Sequence, residues 1–336
     1  MADSVLHPFH VPTFATNQYD ASMSMVMEDH PTAYNQILNQ CTSIRCTRAF
    51  LRGKRTPDLA LSNVGFICFD CLDYYYVNFK YVYPYCKEII KNILDDGFYI
   101  FYYYADDYYI PGKSGYGTRH IHHDGIILGY DENDDTYSIA GYNINWVFSL
   151  MRVPREDFMR AVKSSLDNKK YGNITYYKVR ENVNVELDPE MILKNLKKYI
   201  DADIDKFSLE SDDQVDGIAV HDFMAMYIDR IRKGQLSPYQ MDSRSMRPIW
   251  EHKKCMLDRI IALENKNEWG SELSSEYKSI VDTADKLRLM YAVYDRTQRP
   301  SLLDSIYNGL FEIKAKEKDI LTRLILKMEN SNISHC

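Results

Sequence analysis

His122-His123-Asp124-Gly125-Ile126-Ile127-Leu128-Gly129-Tyr130 is followed by the acidic stretch Asp131-Glu132-Asn133-Asp134-Asp135 and then by Thr136-Tyr137-Ser138-Ile139-Ala140-Gly141-Tyr142-Asn143. Apolar, β-favouring runs on either side of an Asp- and Asn-rich turn predict a two-stranded hairpin. With the turn centred near Asn133, a simple antiparallel register sets residue 143 opposite residue 123, so an imidazole and a carboxamide meet across the ladder. An imidazole whose tautomer is fixed by a neighbouring side chain is the form a catalytic base takes. The same residues also fit a hairpin whose polar ends face water.

Such a base needs a nucleophile. The N-terminal stretch Asn17-Gln18-Tyr19-Asp20-Ala21-Ser22-Met23-Ser24-Met25-Val26-Met27 reads as a helix start, with Asp20 as its cap and Met23 and Met27 on its apolar side. Gln18 stands just before that start, where its amide could donate to an oxyanion together with the backbone N–H of residue 21. The position directly after the cap, at the positive end of the helix dipole, suits a thiolate. It is occupied by Ala21.

The run from His123 through the apolar strand, Gly129-Tyr130-Asp131 and Tyr137-Ser138-Ile139-Ala140-Gly141-Tyr142 resembles the family of the butirosin acyltransferase and of the amide-forming cysteine-protease homologue of closthioamide biosynthesis. The resemblance is clearest over residues 17–158 and weaker beyond. It implies an α+β protein with a papain-like core, an antiparallel sheet and an N-terminal helix, followed by a large helical C-terminal part. It also implies an acyltransferase that moves an acyl group from a carrier-protein thioester, through an enzyme cysteine, onto a small amine. In the family the nucleophile follows a short polar run near residue twenty, so Ala21 falls where the cysteine belongs, as in a Cys-to-Ala variant or a natural pseudoenzyme. The remaining catalytic roles pass to His123, Asn143 and Gln18. The acyl group would arrive on the phosphopantetheine of a carrier protein, with no further cofactor. A cysteine peptidase or amidase, or a non-catalytic binding module, are the other readings of the same residues.

Twenty-eight tyrosines crowd the chain, many of them between residues 73 and 116. Tyr99, Phe101 and Tyr103 read as sheet packing. The following Asp106, Asp107, Tyr108 and Tyr109 read as a loop whose carboxylates and rings suit a cationic amine or diamine. Tyr19 and Tyr142 complete the expected substrate contacts. Arg45, Arg48, Arg52, Lys54 and Arg55 form a local basic cluster that could steer an acidic carrier protein, or could be a solvated helix end.

At 336 residues the chain can bury a substantial core. The expected division is a catalytic core over 1–182 and a helical part over 183–336. Within the second part, and just before it, helical spacing covers 155–166, 188–200, 220–233, 247–265, 274–296 and 301–328. A short strand at 174–179 is expected to rejoin the sheet, and 201–216 reads as an acidic surface loop. The net charge of −7 argues against general nucleic-acid binding. No apolar run has the length of a membrane span, and Met1-Ala2-Asp3-Ser4 lacks a secretory pattern, so a cytoplasmic protein is expected. Seven scattered cysteines predict reduced thiols, with Cys41 the alternative nucleophile. His120, His122 and His123 alternate across a strand and fail as a metal site, so no metal is expected.

Overall fold

The computed structural model describes residues 3–47, 51, 57, 59–62, 64–169, 172–202, 214–236, 242 and 244–333. In chain order the strands are β1 (Ser4–Leu6), β2 (Ile44–Thr47), β3 (Leu59–Leu61), β4 (Leu72–Asn78), β5 (Tyr99–Asp106), β6 (His122–Asp131), β7 (Thr136–Tyr142), β8 (Phe148–Pro154), β9 (Asn173–Val179) and β10 (Gln214–Asp216). The helices are α1 (Gln18–Glu28), α2 (Tyr34–Gln40), α3 (Phe79–Val82), α4 (Cys86–Asp95), α5 (Arg155–Asp167), α6 (Pro189–Ile200), α7 (Val220–Arg232), α8 (Arg247–Asn267), α9 (Glu272–Thr297) and α10 (Pro300–Ile333). The protein is α+β, with an antiparallel sheet and C-terminal helices. Among the described residues no helix is long and apolar enough to cross a membrane.

The chain forms two compact units. The first comprises Met1–Tyr34 and Gly65–Val185, the second Asn35–Val64 and Glu186–Cys336. Residues 35–64, expected with the core, therefore belong to the helical unit. The reason is strand pairing: β2 is bonded to β3 on one side and to β10 on the other. Part of the expected acidic loop is thus strand β10, while residues 203–213 lie outside the described residues.

In the first unit the antiparallel strands run β4-β9-β5-β6-β7-β8, with β1 taking over the edge of β6 beyond its pairing with β5. The predicted hairpin is β6–β7. Its register pairs Ile126 with Ala140 and Ile127 with Ile139, then slips at a bulge before Gly129. Asp131 stabilises the turn by accepting from the amides of Asn133 and Asp134. The expected strand near 174–179 is β9, inserted between β4 and β5.

Alternation along β5 separates the two faces of this sheet. Ile100 and Tyr102 join Ile127, Ile139, Ile174, Ile90 and Ile93 of α4, and Phe158 and Val162 of α5 in one buried core. On the other face Phe101 packs edge-on against Tyr19 of α1, and the Tyr177 hydroxyl donates to the Ser22 carbonyl. Each large apolar side chain buried in this way contributes about 1.5–3 kcal/mol. The sheet is thereby held between α1 and the α4–α5 pair.

In the second unit the predicted helices appear as α6 to α10. Asp188 caps α6 by accepting from the Met191 amide, with Pro189 in the first turn. The fully buried guanidinium of Arg259 donates to the carbonyls of Leu38 and Cys41, satisfying the C-terminal end of α2. At the centre, the Lys253 ammonium donates to both oxygens of Glu317 at 2.8 and 2.7 Å, with each residue fully buried. Tyr199 and Tyr277 donate to the same carboxylate. The His252 ring receives from Lys253 on Nδ1 and donates from Nε2 to the Thr42 carbonyl.

Candidate functional site

Helix α1 starts at Gln18, capped by Asn17, whose side chain accepts from the Tyr19 amide at 3.0 Å. Asp20, the expected cap, lies inside the first turn. This shift has a chemical consequence. With Asn17 at the cap, its carbonyl is the partner four residues back from Ala21, and the Ala21 N–H donates to it at 2.9 Å. The amide expected to bind an oxyanion is therefore spent within the helix. Ala21 itself is fully buried, and α1 packs against β6 and β9.

The orientation of His123 is decided on β5. Tyr102 pairs with Gly125 and Ala105 with His123, so β5 carries one extra residue between these pairs. Tyr104 absorbs it in a left-handed conformation (φ 58°), and its amide donates to Asp124 Oδ1 at 3.0 Å. Beyond the bulge the chain turns into a short 3-10 segment, Asp107–Tyr109, which brings two consecutive carboxylates under two imidazoles. Asp107 Oδ2 lies 2.6 Å from His123 Nδ1, and Asp106 Oδ2 lies 2.6 Å from His120 Nδ1. Both carboxylates are buried, whereas the His123 side chain is 41% exposed. A buried acceptor on Nδ1 fixes the proton there and leaves Nε2 as the nitrogen with a free lone pair.

Asn143 does not orient His123. The register near Ile126 is the expected one, but the Asn143 side chain turns into its own loop, accepting from the amides of Asn145 and Val147 and donating to Ser149 Oγ. A carboxamide followed by an irregular loop satisfies local amides first, as Asx turns do. Asp107 occupies the role assigned to it.

The expected amine contacts are likewise committed within the protein. Asp106 also accepts from Ser164 Oγ and the Tyr108 amide. Burial would raise its carboxyl, but Ser164, His120 and the Tyr108 amide outweigh this and hold it below the usual carboxylate range. Tyr108 stacks on His120 with 4.3 Å between ring centroids, and Tyr109 packs edge-on against Tyr108. Tyr19 belongs to the aromatic layer with Phe66 and Phe101, and burial pushes its hydroxyl up to about 12. The Tyr142 hydroxyl donates to the Ala15 carbonyl and so ties β7 to the segment leading into α1.

Gln18 reaches β7. A Cβ at Gly141 would stand 2.8 Å from Gln18 Oε1 and 2.8 Å from Lys113 Nζ, so both polar atoms converge on the space that this glycine leaves open. Because the register pairs Ala140 with Ile126, the Gln18 end of α1 abuts the end of the β6–β7 ladder that bears His123. Lys113 comes from the glycine-rich loop Pro111-Gly112-Lys113-Ser114-Gly115 and is 2% exposed. Gly115 lets that loop close over the site: a Cβ there would meet Asp107 Cβ at 3.1 Å. Burial pushes the Lys113 ammonium down while Asp107 and Asp124 oppose the shift. Burial raises the Asp124 carboxyl, opposed by the Tyr104 amide, His123 and Lys113. Among the described residues, Gln18 Oε1, Tyr102 Oη, Asp107 Oδ1 and His122 Nε2 are buried without a hydrogen-bond partner. Such a concentration of unpaired polar atoms marks a functional region more often than a folding core.

Sequence reasoning missed the orienting role of Asp107 and the presence of Lys113. The second carried a signal, a lone lysine between glycines in the connection from β5 to β6. The basic cluster is only partly visible: Arg48, Arg52, Lys54 and Arg55 lie outside the described residues. Arg45 is half-buried on β2, where it lines a cavity of about 630 Å³ with Lys198, Asp201 and Asp216. Cys41 is fully buried in the helical unit, and burial pushes the Cys71 thiol up to about 12. Among the described residues no group of three or more His, Cys, Asp or Glu side chains could hold a metal ion. No protein-family model and no curated protein matches the chain.

Proposed function

We propose that this protein has the papain-like architecture of an amide-forming acyltransferase, with residue 21 at the nucleophile position. The observation that carries this reading is the pair Asp107–His123, a buried carboxylate 2.6 Å from a partly exposed imidazole, at the end of the sheet met by the N-terminus of α1. A cysteine at 21 would give its proton to His123 Nε2, and its sulfur would add to the carbonyl carbon of a carrier-bound thioester. Gln18 Nε2 would donate to the resulting oxyanion. Collapse expels the carrier's pantetheine thiol, which takes the proton from His123 and leaves an acyl group on the enzyme sulfur. An incoming neutral amine then adds to that acyl carbon, His123 accepts its proton, and the cysteine leaves as the amide forms. The phosphopantetheine arm belongs to the substrate. The carrier protein and the small amine are the partners.

The burial of Ala21 favours a second reading, a binding protein that has lost its chemistry. Ala21→Cys separates the two. Incubated with a hexanoyl thioester of N-acetylcysteamine, the Ala21→Cys protein is expected to gain one hexanoyl group by intact mass and to release N-hexanoyl-diaminopropane when 1,3-diaminopropane is added. His123→Ala should abolish both. Absence of adduct and of amide from a folded Ala21→Cys protein overturns the enzyme reading.

A further inference from the structure

Lys113 is an anomaly for a surface loop. It sits in a glycine-rich connection between two strands, yet its side chain is almost completely buried, and among the described residues it forms no ion pair. A buried ammonium without a bonded counter-ion is costly to the fold, so a position that keeps one invites a functional explanation. Its surroundings supply partial compensation: the carboxylates of Asp107 and Asp124 both act on it, and Gln18 Oε1 lies on the same face of Gly141. Each of Lys113 Nζ and Gln18 Oε1 is 2.8 Å from the Cβ position of Gly141, so the two atoms are separated by no more than twice that distance.

We infer that Lys113 is a positioning residue of the proposed acyl-transfer site, turning the Gln18 carboxamide so that its oxygen faces the cation and its NH2 faces the oxyanion position. The inference rests on the reading given under Proposed function. A lysine ammonium has donors and no acceptor, so only the oxygen end of the carboxamide is attracted to it. The reverse orientation would set an NH2 against an NH3⁺ in a site with little water, where charge–dipole interactions are weakly screened. Gln18 Oε1 is buried and has no hydrogen-bond partner among the described residues, Lys113 included, so the ammonium acts on the carboxamide through charge–dipole attraction rather than a direct bond. Gly141 is the third element. Any side chain there would occupy the space that the carboxamide oxygen and the ammonium both border. The requirement for a donor is sharper because the Ala21 N–H is already bonded to Asn17. Gln18 Nε2 is then the principal oxyanion donor of those anticipated, and its orientation matters accordingly.

The test is a double-mutant comparison in the Ala21→Cys protein, reading the rate of hexanoylation by the N-acetylcysteamine thioester. Loss of one oxyanion donor lowers a rate by roughly 10²–10³. Lys113→Met should slow acylation at saturating thioester by at least about tenfold with little change in the half-saturating concentration, the pattern of an interaction made in the transition state. In a Gln18→Ala background the same change should have no further effect, because no carboxamide remains to be oriented. Gly141→Ala keeps the lysine and should reproduce the loss, which preserves the test if Lys113→Met does not fold. Losses that multiply between Gln18→Ala and Lys113→Met, or an unchanged rate in Lys113→Met, overturn the inference. A readout independent of chemistry separates its failure from that of the enzyme reading. In the Ala21 protein, the Gln18 side-chain amide signal in a ¹⁵N spectrum, identified by its loss in Gln18→Ala, should shift in Lys113→Met. An unmoved signal refutes the positioning role even where Ala21→Cys forms no adduct.

Discussion

Replacing Lys253 by methionine is expected to destabilise the helical unit by about 3–5 kcal/mol, the range for breaking a fully buried ion pair by removing one partner. Lys253 and Glu317 are both fully buried, and the ammonium touches both carboxylate oxygens. Methionine fills most of the lysine volume, so little of the loss comes from a cavity. Most of it comes from the stranded Glu317 charge, left among the described residues with Tyr199 and Tyr277 as hydrogen-bond donors. Burial alone would raise the Glu317 carboxyl, and it is Lys253, with His221 and His252, that holds it below the usual carboxylate range. Without the lysine, Glu317 should take up a proton. Urea unfolding followed by far-ultraviolet circular dichroism measures the effect: at a slope of about 2–3 kcal/mol per molar, the midpoint of the helical unit should fall by about 1–2.5 M. Adding Glu317→Gln to Lys253→Met removes the stranded charge and keeps an acceptor for the tyrosines, so the double variant should be more stable than the single one. A single-variant loss below about 1 kcal/mol, or a double variant weaker than Lys253→Met, would refute this account.

Three further outcomes follow from the geometry. In the Ala21→Cys protein, Asp107→Asn replaces a charge-assisted bond worth about 1.5–3 kcal/mol with a weaker neutral one, and acylation should slow by about 10- to 100-fold in the intact-mass assay. Asn143→Ala should instead leave that rate within about threefold and lower stability by about 1–2 kcal/mol, since two loop amides lose their acceptor; the opposite ranking of the two variants would return the orienting role to Asn143. Lowering the pH should destabilise the helical unit, because burial pushes His221 down to about 3 while the unfolded chain titrates near 6.5. A depressed folded-state value means that the stabilisation is complete above about pH 6.5 and is lost as pH falls toward 3, at up to about 1.4 kcal/mol per pH unit. Urea midpoints at pH 7.5 and 5 would show this, and His221→Gln should flatten the slope.

The elements whose identity depends on local pattern were legible in the chain. Strands β6 and β7 announce themselves through apolar β-formers around an acidic turn, and α6 to α10 through helical spacing with polar breaks. The pairing of Ile126 with Ala140 follows from the same hairpin register. What escaped depends on three-dimensional partners. A tyrosine in a left-handed conformation leaves no compositional mark at residue 104, yet that bulge is what presents Asp107, rather than Asn143, to His123. Asp106 and Asp107 look like solvent-facing acids in a tyrosine-rich loop because nothing local shows that each will meet an imidazole. The cap moved from Asp20 to Asn17, a displacement of less than one turn, and with it the Ala21 amide changed from a free donor to a bonded one. Residues 35–64 left the core because β2 finds β10 far along the chain, which no local periodicity records.

The place of β9 between β4 and β5 sets a timetable for synthesis. As the nascent chain leaves the ribosome, β5, β6, β7 and β8 can join one another in order, but β4 has no neighbour until Asn173–Val179 follows. Throughout that interval the Tyr99–Tyr102 margin of β5 offers unsatisfied backbone groups flanked by aromatic rings, the kind of border that recruits foreign strands. Polypeptides stalled or cleaved upstream of residue 173 would keep this border open permanently, and would be sticky clients for chaperones rather than soluble halves of a protein.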